Sequence, residues 1–234
     1  MLVFLAVLGF LGADAPKDAT PPWPLPWKEG VSYELTWYEK EPLGKSVFVC
    51  RWSDDKKSIV CKGKLDLGGR VGRLEGEFAT VFAPDLSPKS HVGVFKTSDK
   101  GIGAGVAAAF TPEEIRVTLG LAKDAPVKKL TPPKERYWLY GHQAIHHWAI
   151  FLTAVDTQKP SVLKVCMPDF LQFCDIAFTP EGTEEIRGVT ATRLAFNAQG
   201  MFQGKVWVGP DKRLLRYQQK NSIGFTEIWV DEKR

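Results

Sequence analysis

The sequence feature that most constrains the fold is a series of short segments with strand character. Val31–Trp37 sets the pattern, because its apolar and polar residues alternate and a strand directs successive side chains to opposite faces. Gly, Pro, Asp and Lys occupy the connections, and segment centres lie about 10–12 residues apart, which is typical of antiparallel sheets, sandwiches and barrels. The remaining segments are Ser46–Trp52, Ser58–Leu65, Glu75–Phe82, His91–Thr97, Ile115–Leu119, Val162–Cys166, Phe173–Phe178, Val189–Phe196, Phe202–Val208, Leu214–Gln219 and Gly224–Val230.

One stretch, residues 137–155, interrupts this pattern, since it contains no charged residue and no proline. A helix that is apolar on all sides is buried. Its broadest apolar face would carry Trp138, Ile145, Trp148 and Leu152. The sequence therefore predicts a single mainly-β domain over residues 30–234. In it, an antiparallel sheet curls into a partly open barrel with one buried central helix at about 137–155.

The first fifteen residues indicate export. Residues 2–11 read LVFLAVLGFL, an apolar run that spans only about 15 Å as a helix, half of a bilayer core. This length suits a signal peptide, and Ala13–Ala15 supplies an A-x-A cleavage site. The segment before the run lacks Lys and Arg, and Pro16 follows the site, so a short apolar strand is the alternative. No later stretch reaches 18 apolar residues, and we expect a mature chain without a transmembrane segment, in the periplasm or outside the cell.

Residues 16–29 form a second distinct segment, with five prolines and two tryptophans. Proline fixes φ and removes a backbone donor, so this segment is predicted to be an extended arm and not a central strand. The arm either packs onto its own domain, which we favour, or presents Trp23 and Trp27 to a partner.

The cysteines are even in number, four, which agrees with export to an oxidising compartment. None forms a CxxC motif, which argues against a zinc ribbon or a thioredoxin-like site. Cys50 and Cys61 flank a polar turn, and pairing Ser53 with Ser58 places the two cysteines directly opposite each other on a hairpin. Cys166 and Cys174 bracket a second short loop. We predict two disulfides, Cys50–Cys61 and Cys166–Cys174, with four buried free thiols as the alternative.

Composition and motifs exclude several function classes. The chain has 31 Lys and Arg against 27 Asp and Glu, a net charge of +4, and no basic run, so we expect no nucleic-acid partner. No cofactor motif and no G-x-S-x-G motif are present, and we predict no cofactor and no enzymatic activity. His142 and His146 have the i, i+4 spacing of two metal ligands on a helix. Gln143 replaces the glutamate that a metalloprotease needs as its base, so we expect these histidines to bond backbone or water.

The C-terminal stretch carries a family resemblance. It contains GVTATRLA from Gly188, GKVWVGPDKRLLRY from Gly204 and IGFTEIW from Ile223. This ending resembles that of periplasmic β-proteins of unknown function, in which a strand with a Trp leads into a Pro-Asp turn. More remotely, residues 130–230 are similar to the carriers and acceptors of lipoprotein localisation. That resemblance implies an incomplete barrel with helical material covering a hydrophobic cavity, and it transfers no ligand residues.

These observations favour an extracytoplasmic envelope protein that binds or carries an apolar ligand, such as a lipid, an acyl chain or a lipoprotein. The cavity would be lined by Trp138, Ile145, Trp148 and Leu152. A non-catalytic structural or interaction protein with a filled core, contacting an envelope partner, is the alternative. A metal-assisted hydrolase using His142 and His146 is the weaker alternative.

Overall fold

A single sheet of fifteen strands dominates the computed structural model, which describes residues 22–39, 41–68, 73–97, 103–122, 124–141, 144–221 and 224–232. One α-helix and two 3-10 turns complete the elements of these residues. The helix α1 is His146–Phe151, and the 3-10 turns are Leu152–Ala154 and Pro168–Phe170. The strands are β1 (Ser32–Tyr38), β2 (Pro42–Trp52), β3 (Ile59–Leu67), β4 (Leu74–Phe82), β5 (Pro88–Thr97), β6 (Gly103–Phe110), β7 (Ile115–Leu119), β8 (Val127–Leu130), β9 (Trp138–Leu139), β10 (Ser161–Met167), β11 (Gln172–Ile186), β12 (Val189–Asn197), β13 (Gln203–Val208), β14 (Leu214–Asn221) and β15 (Gly224–Glu232).

The sheet consists of two meanders joined at its middle. Its order is β8-β7-β6-β5-β4-β3-β2-β1-β15-β14-β13-β12-β11-β10-β9, so the first and last strands pair with each other. All pairs are antiparallel except β9 with β10. Laid flat, fifteen strands would separate β8 from β9 by about 67 Å. Residues 131–137, which connect these two strands, can span at most about 30 Å, so the sheet must curl.

The curled sheet confirms the predicted fold class. It is a mainly-β, partly open barrel, and β6 contacts the 3-10 turn Pro168–Phe170 from the opposite meander. The face that packs against α1 is called the inner face here, and the opposite one the outer face. All six residues of α1 are buried, as expected for the central helix.

The predicted helix bounds, about 137–155, are wrong. The helix is only six residues long, and a 3-10 turn extends it to Ala154. Trp138 and Leu139 instead form β9, because their backbone pairs in parallel with Val165 and Cys166 of β10. Tertiary pairing of the backbone therefore prevails over the helical pattern at the start of this segment.

The described part of the proline-rich arm packs against the sheet. Trp27 is buried, with its ring centroid 4.6 Å from that of Tyr33 and 5.3 Å from that of Phe48. Trp23 lies 5.8 Å from Trp52, ring to ring, and its indole N–H donates to the Trp27 carbonyl. Both tryptophans thus contact the chain's own domain. The predicted signal peptide, residues 1–15, and residues 16–21 of the arm lie outside the described residues.

The two disulfide predictions have different outcomes. Cys50–Cys61 is confirmed, in the expected register of β2 with β3, with the two Cα atoms 4.1 Å apart. Cys166–Cys174 is wrong, because both thiols are free and buried. The register places Cys174 opposite Val165 and Cys166 opposite Phe173, so the two side chains point to opposite faces of the sheet.

The inner face and α1 enclose a core rich in aromatic side chains. Seven rings surround the middle of the helix, and we call them the aromatic cluster: Tyr140, Trp148, Phe151, Phe178, Phe196, Phe202 and Tyr217. All seven are buried. The C-terminal meander supplies four of them, so α1 fills this side of the half-barrel instead of covering an open space there.

Candidate functional site

A groove of about 890 Å³ lies on the outer face of strands β2 to β5. Most of its lining residues come from alternate strand positions, which the cross-strand register aligns in rows. The positions between them contribute Phe48, Gly63, Leu65, Gly76 and Phe78. The first row is Val49, Lys62, Ala79 and Val92, and the second is Val47, Lys64, Glu77 and Val94. The third row is Asp66, Glu75 and Lys96. The groove is therefore apolar at one end and charged at the other.

The acidic groups of the groove are paired. Glu77 accepts a hydrogen bond from Lys64 Nζ at 2.8 Å, and this contact lowers the pKa of the Glu77 carboxyl. Asp66 accepts from Arg73 at 2.7 Å, which lowers the pKa of Asp66, and Glu75 lies 3.4 Å from the same guanidinium. Each of the three carboxylates thus lies beside a cation, and Asp66 and Glu75 share the single guanidinium of Arg73.

The remaining two cations of the groove, Lys62 and Lys96, form no ion pair among the residues that the structure describes. Their side chains are exposed, and Lys62 lies between Val49 and Ala79 in the apolar row. The lining carries three lysines and three carboxylates, and Arg73 beside it adds one positive charge. An apolar floor next to lysines outside ion pairs suits a ligand that has an apolar chain and an anionic head.

Two glycines in the sheet beneath the groove leave space for aromatic rings to pack directly on the backbone. A Cβ atom at Gly63 would lie 3.0 Å from the Phe78 ring, and one at Gly76 would lie 3.0 Å from the Phe95 ring. Each phenylalanine on the inner face thus covers the backbone of a glycine on the neighbouring strand. This arrangement supports the groove from behind with rigid rings.

The four residues predicted to line an inner cavity lie in the core. Trp138, Ile145, Trp148 and Leu152 are all buried, and none of them lines the groove. Trp148 is surrounded by rings, with Phe196 at 4.7 Å, Phe151 at 4.8 Å and Tyr217 at 4.9 Å between centroids. Contact with a ligand stays a prediction for these four residues.

A second polar site lies on the inner face, where three histidines surround one hydroxyl. We call His91, His146, His147 and Thr80 the histidine cluster. Thr80 Oγ1 lies 2.9 Å from His91 Nδ1, 3.1 Å from His146 Nε2 and 2.9 Å from His147 Nε2. Strands β4 and β5 place Thr80 opposite His91, and α1 brings the other two rings. All four side chains are at most 2% exposed.

The hydrogen bonds of the cluster define its protonation. The Gly141 N–H donates to His147 Nδ1 at 2.8 Å, so the neutral His147 ring carries its proton on Nε2 and donates to Thr80. A hydroxyl donates one hydrogen bond and accepts two. Of His91 and His146, one therefore donates to Thr80 Oγ1 and the other accepts from it.

Burial keeps the three rings neutral. Desolvation lowers the pKa of His91 to about 4. Desolvation and the nearby His91 lower the pKa of His146 to about 3. Desolvation, together with the nearby His146 and His91, holds the pKa of His147 well below its usual range. Charging any ring would place a cation in an apolar interior where the described residues supply no counter-ion.

The metal hypothesis for His142 and His146 gains no support from the described residues. His142 lies outside them, and His146 bonds Thr80 instead. In the part of the chain that the structure describes, no group of three or more His, Cys, Asp or Glu side chains is arranged to hold a metal ion. We expected His146 to bond backbone or water, and it instead bonds the Thr80 side chain in the buried interior.

Sequence reasoning missed the groove and the complete histidine cluster. The sequence does contain a signal for the groove. Valines occupy positions 47, 49, 92 and 94, and they alternate with buried residues, so they mark outward-facing apolar sites. The cluster carries no such signal, because Thr80 and His147 are 67 residues apart in the chain. Only the packing of α1 onto β4 and β5 brings these groups together.

Comparisons with known proteins give fold similarity and no family. No protein-family model matches the chain, and no curated protein matches it. A β-barrel-like protein of the domain of unknown function DUF1849 from Brucella abortus superposes with a TM-score of 0.57 at 10% identity, over 86% of this chain and 94% of that one. A DUF1089 family protein from Pseudomonas aeruginosa reaches a TM-score of 0.46 at 9% identity, over 74% of this chain and 88% of that one.

The Brucella similarity supports the β-barrel-like architecture alone, because 10% identity shows fold and not function. The relation to lipoprotein-localisation carriers and acceptors stays a prediction. In the described part of the chain, no helix reaches the length and hydrophobicity that crossing a bilayer requires.

Proposed function

We propose that this protein is a non-catalytic, extracytoplasmic binding protein for an apolar chain with an anionic head, such as a fatty acid. The ligand would lie in the groove on the outer face of β2 to β5. The observation that carries the proposal is the composition of this groove, in which a valine and alanine floor adjoins two lysines. Lys62 forms no ion pair among the described residues, and Lys96 lies opposite Glu75 with its charge also acting on Glu77.

The size and charge of the groove support this ligand class. About 890 Å³ falls within the range of small-molecule sites, about 300–1,000 Å³. The acyl chain would cover Val49, Ala79 and Val92, and the head would lie near Lys62 or Lys96. The Cys50–Cys61 disulfide is typical of the oxidising compartments in which exported proteins reside.

A structural or interaction protein with a filled core is the second candidate. The observation that favours it is the aromatic cluster, which fills the inner side of the half-barrel around α1. In that case the protein would bind an envelope partner and no apolar small molecule. The two candidates predict opposite results with a fluorescent fatty acid.

The first experiment measures binding of a fluorescent fatty acid to the purified chain and to two tryptophan variants. Ala79→Trp fills the apolar end of the groove and should abolish binding. Ala107→Trp is the matched control, because Ala107 is an exposed residue of the next strand in the same row and lies beyond the groove lining. Absence of binding by the unmodified chain would refute the proposal and favour the filled-core candidate.

The second experiment tests the anionic head. Lys62→Gln and Lys96→Gln should each weaken fatty-acid binding about tenfold, since a charge-assisted hydrogen bond contributes about 1.5 kcal/mol and 1.4 kcal/mol is tenfold. Binding of the fatty alcohol with the same chain should not change. Lys159→Gln, an exposed lysine outside the groove, serves as the control. Equal losses for acid and alcohol would contradict a role for these charges.

A further inference from the structure

The histidine cluster connects α1 to the N-terminal meander through Thr80. His146 and His147 belong to α1, whereas Thr80 and His91 belong to β4 and β5. The two helix histidines reach the Thr80 hydroxyl at 3.1 and 2.9 Å. These contacts therefore attach the helix to the inner face of the sheet.

The hydrogen bonds of two of the three rings oppose an added proton. A proton added to His147 Nδ1 would face the Gly141 N–H, which is itself a donor. Of His91 and His146, a proton added to the ring that accepts from Thr80 would leave the Thr80 hydroxyl surrounded by three donors, and a hydroxyl accepts two. Protonation of His147 thus removes its bond with Gly141, and protonation of the accepting ring removes one of the Thr80 contacts of the cluster.

The surroundings of the cluster offer no compensation for a positive charge. Thr80 is opposite the disulfide-bonded Cys61 on β3, and His91 is opposite Ala108 on β6. The rings of Phe48, Phe78 and Phe82, on β2 and β4, lie 6.0 to 6.3 Å from the histidine rings. In the described part of the chain, the charges that act on these three rings are those of one another.

We propose that the histidine cluster is an acid-sensitive latch, which holds α1 on β4 and β5 while it is neutral and releases the helix when it is protonated. Release would uncover the inner face of the half-barrel, which α1 fills in the closed state. The proposal does not rest on ligand binding in the groove, because it is argued from the contacts of the cluster on the inner face of the sheet.

The direction of the pH dependence follows from the lowered pKa values. A released histidine titrates near pH 6.5, whereas in the latch the pKa is about 4 for His91 and about 3 for His146. The released state therefore binds more protons below pH 6.5, so the latch is fully stable above this pH and weakens as the pH falls. Three rings would raise the release constant up to about a thousandfold per pH unit.

The test follows the full-length chain from pH 7.5 to 4 with near-ultraviolet circular dichroism and hydrogen exchange of the α1 amides. We expect a reversible transition that takes up more than one proton, with exchange of α1 while the far-ultraviolet sheet signal persists. Simultaneous loss of the sheet signal would mean general acid unfolding and would overturn the proposal. Uptake of one proton or fewer in the transition would also overturn the proposal, and this number is measured on the unmodified chain.

Two glutamine variants locate the titrating groups. His91→Gln keeps a side chain that can bond Thr80 and cannot be charged, so the transition should become less steep by about one proton. Lys159→Gln is the control, because this exposed lysine lies outside the cluster, and its profile should equal that of the unmodified chain. An unchanged steepness in His91→Gln, or a reduced one in Lys159→Gln, would refute the latch.

Discussion

Replacement of Trp148 by alanine tests whether α1 fills the half-barrel. Trp148 is 2% exposed, and three ring centroids lie within 4.9 Å of its own, from Phe151, Phe196 and Tyr217. Truncation of a buried Trp to Ala costs about 3–5 kcal/mol, since it removes transfer energy and leaves a cavity. We expect the upper half of this range, because the surrounding aromatic rings are rigid and cannot collapse into the space.

The assay for Trp148→Ala is a urea unfolding curve followed by far-ultraviolet circular dichroism. The midpoint should fall while the slope stays constant, since a change of slope would indicate an altered denatured state. Val162→Ala is a suitable control, because this residue is 62% exposed and its truncation should change the free energy of unfolding by no more than about 0.5 kcal/mol. A Trp148→Ala cost as small as that of the control would refute the placement of α1 inside the half-barrel.

Three further predictions concern the disulfide, metal binding and export. Denatured but unreduced protein should expose two thiols to alkylation, Cys166 and Cys174, and four reactive thiols would contradict the Cys50–Cys61 disulfide. The double variant Cys50→Ala/Cys61→Ala should lose about 3 kcal/mol of stability in a urea melt. Zinc and chelators should leave the melting temperature unchanged. A metal bound at 100 times its dissociation constant would instead add about 2.7 kcal/mol to the free energy of unfolding, and loss of that gain in His146→Ala would contradict the prediction. N-terminal sequencing of the exported protein should begin at Pro16, and an intact Met1 on a cytoplasmic product would exclude the signal peptide.

Features that depend on residues close together in the chain were predictable from the sequence. Alternation of apolar and polar residues marks most strands, because burial of one face requires period two. The six-residue turn between Trp52 and Ile59 fixes the register of its hairpin and thereby places Cys50 opposite Cys61. The absence of charge in residues 137–155 likewise predicted a buried segment, and residues 144–152 within it are buried, although the helix is shorter than predicted.

Features that depend on distant pairing were decided by the tertiary structure. Leu171, with a φ of 54°, ends the turn after β10 and sets a register in which Cys166 and Cys174 point to opposite faces. The pairing of β1 with β15 joins the two meanders, and four strands must align before the outer valines and lysines form a groove. The histidine cluster needs the curl of the sheet as well, because only a closed half-barrel brings α1 to Thr80. A pattern read along one segment defines which face is buried, but the identity of the neighbour on that face depends on how the whole sheet closes.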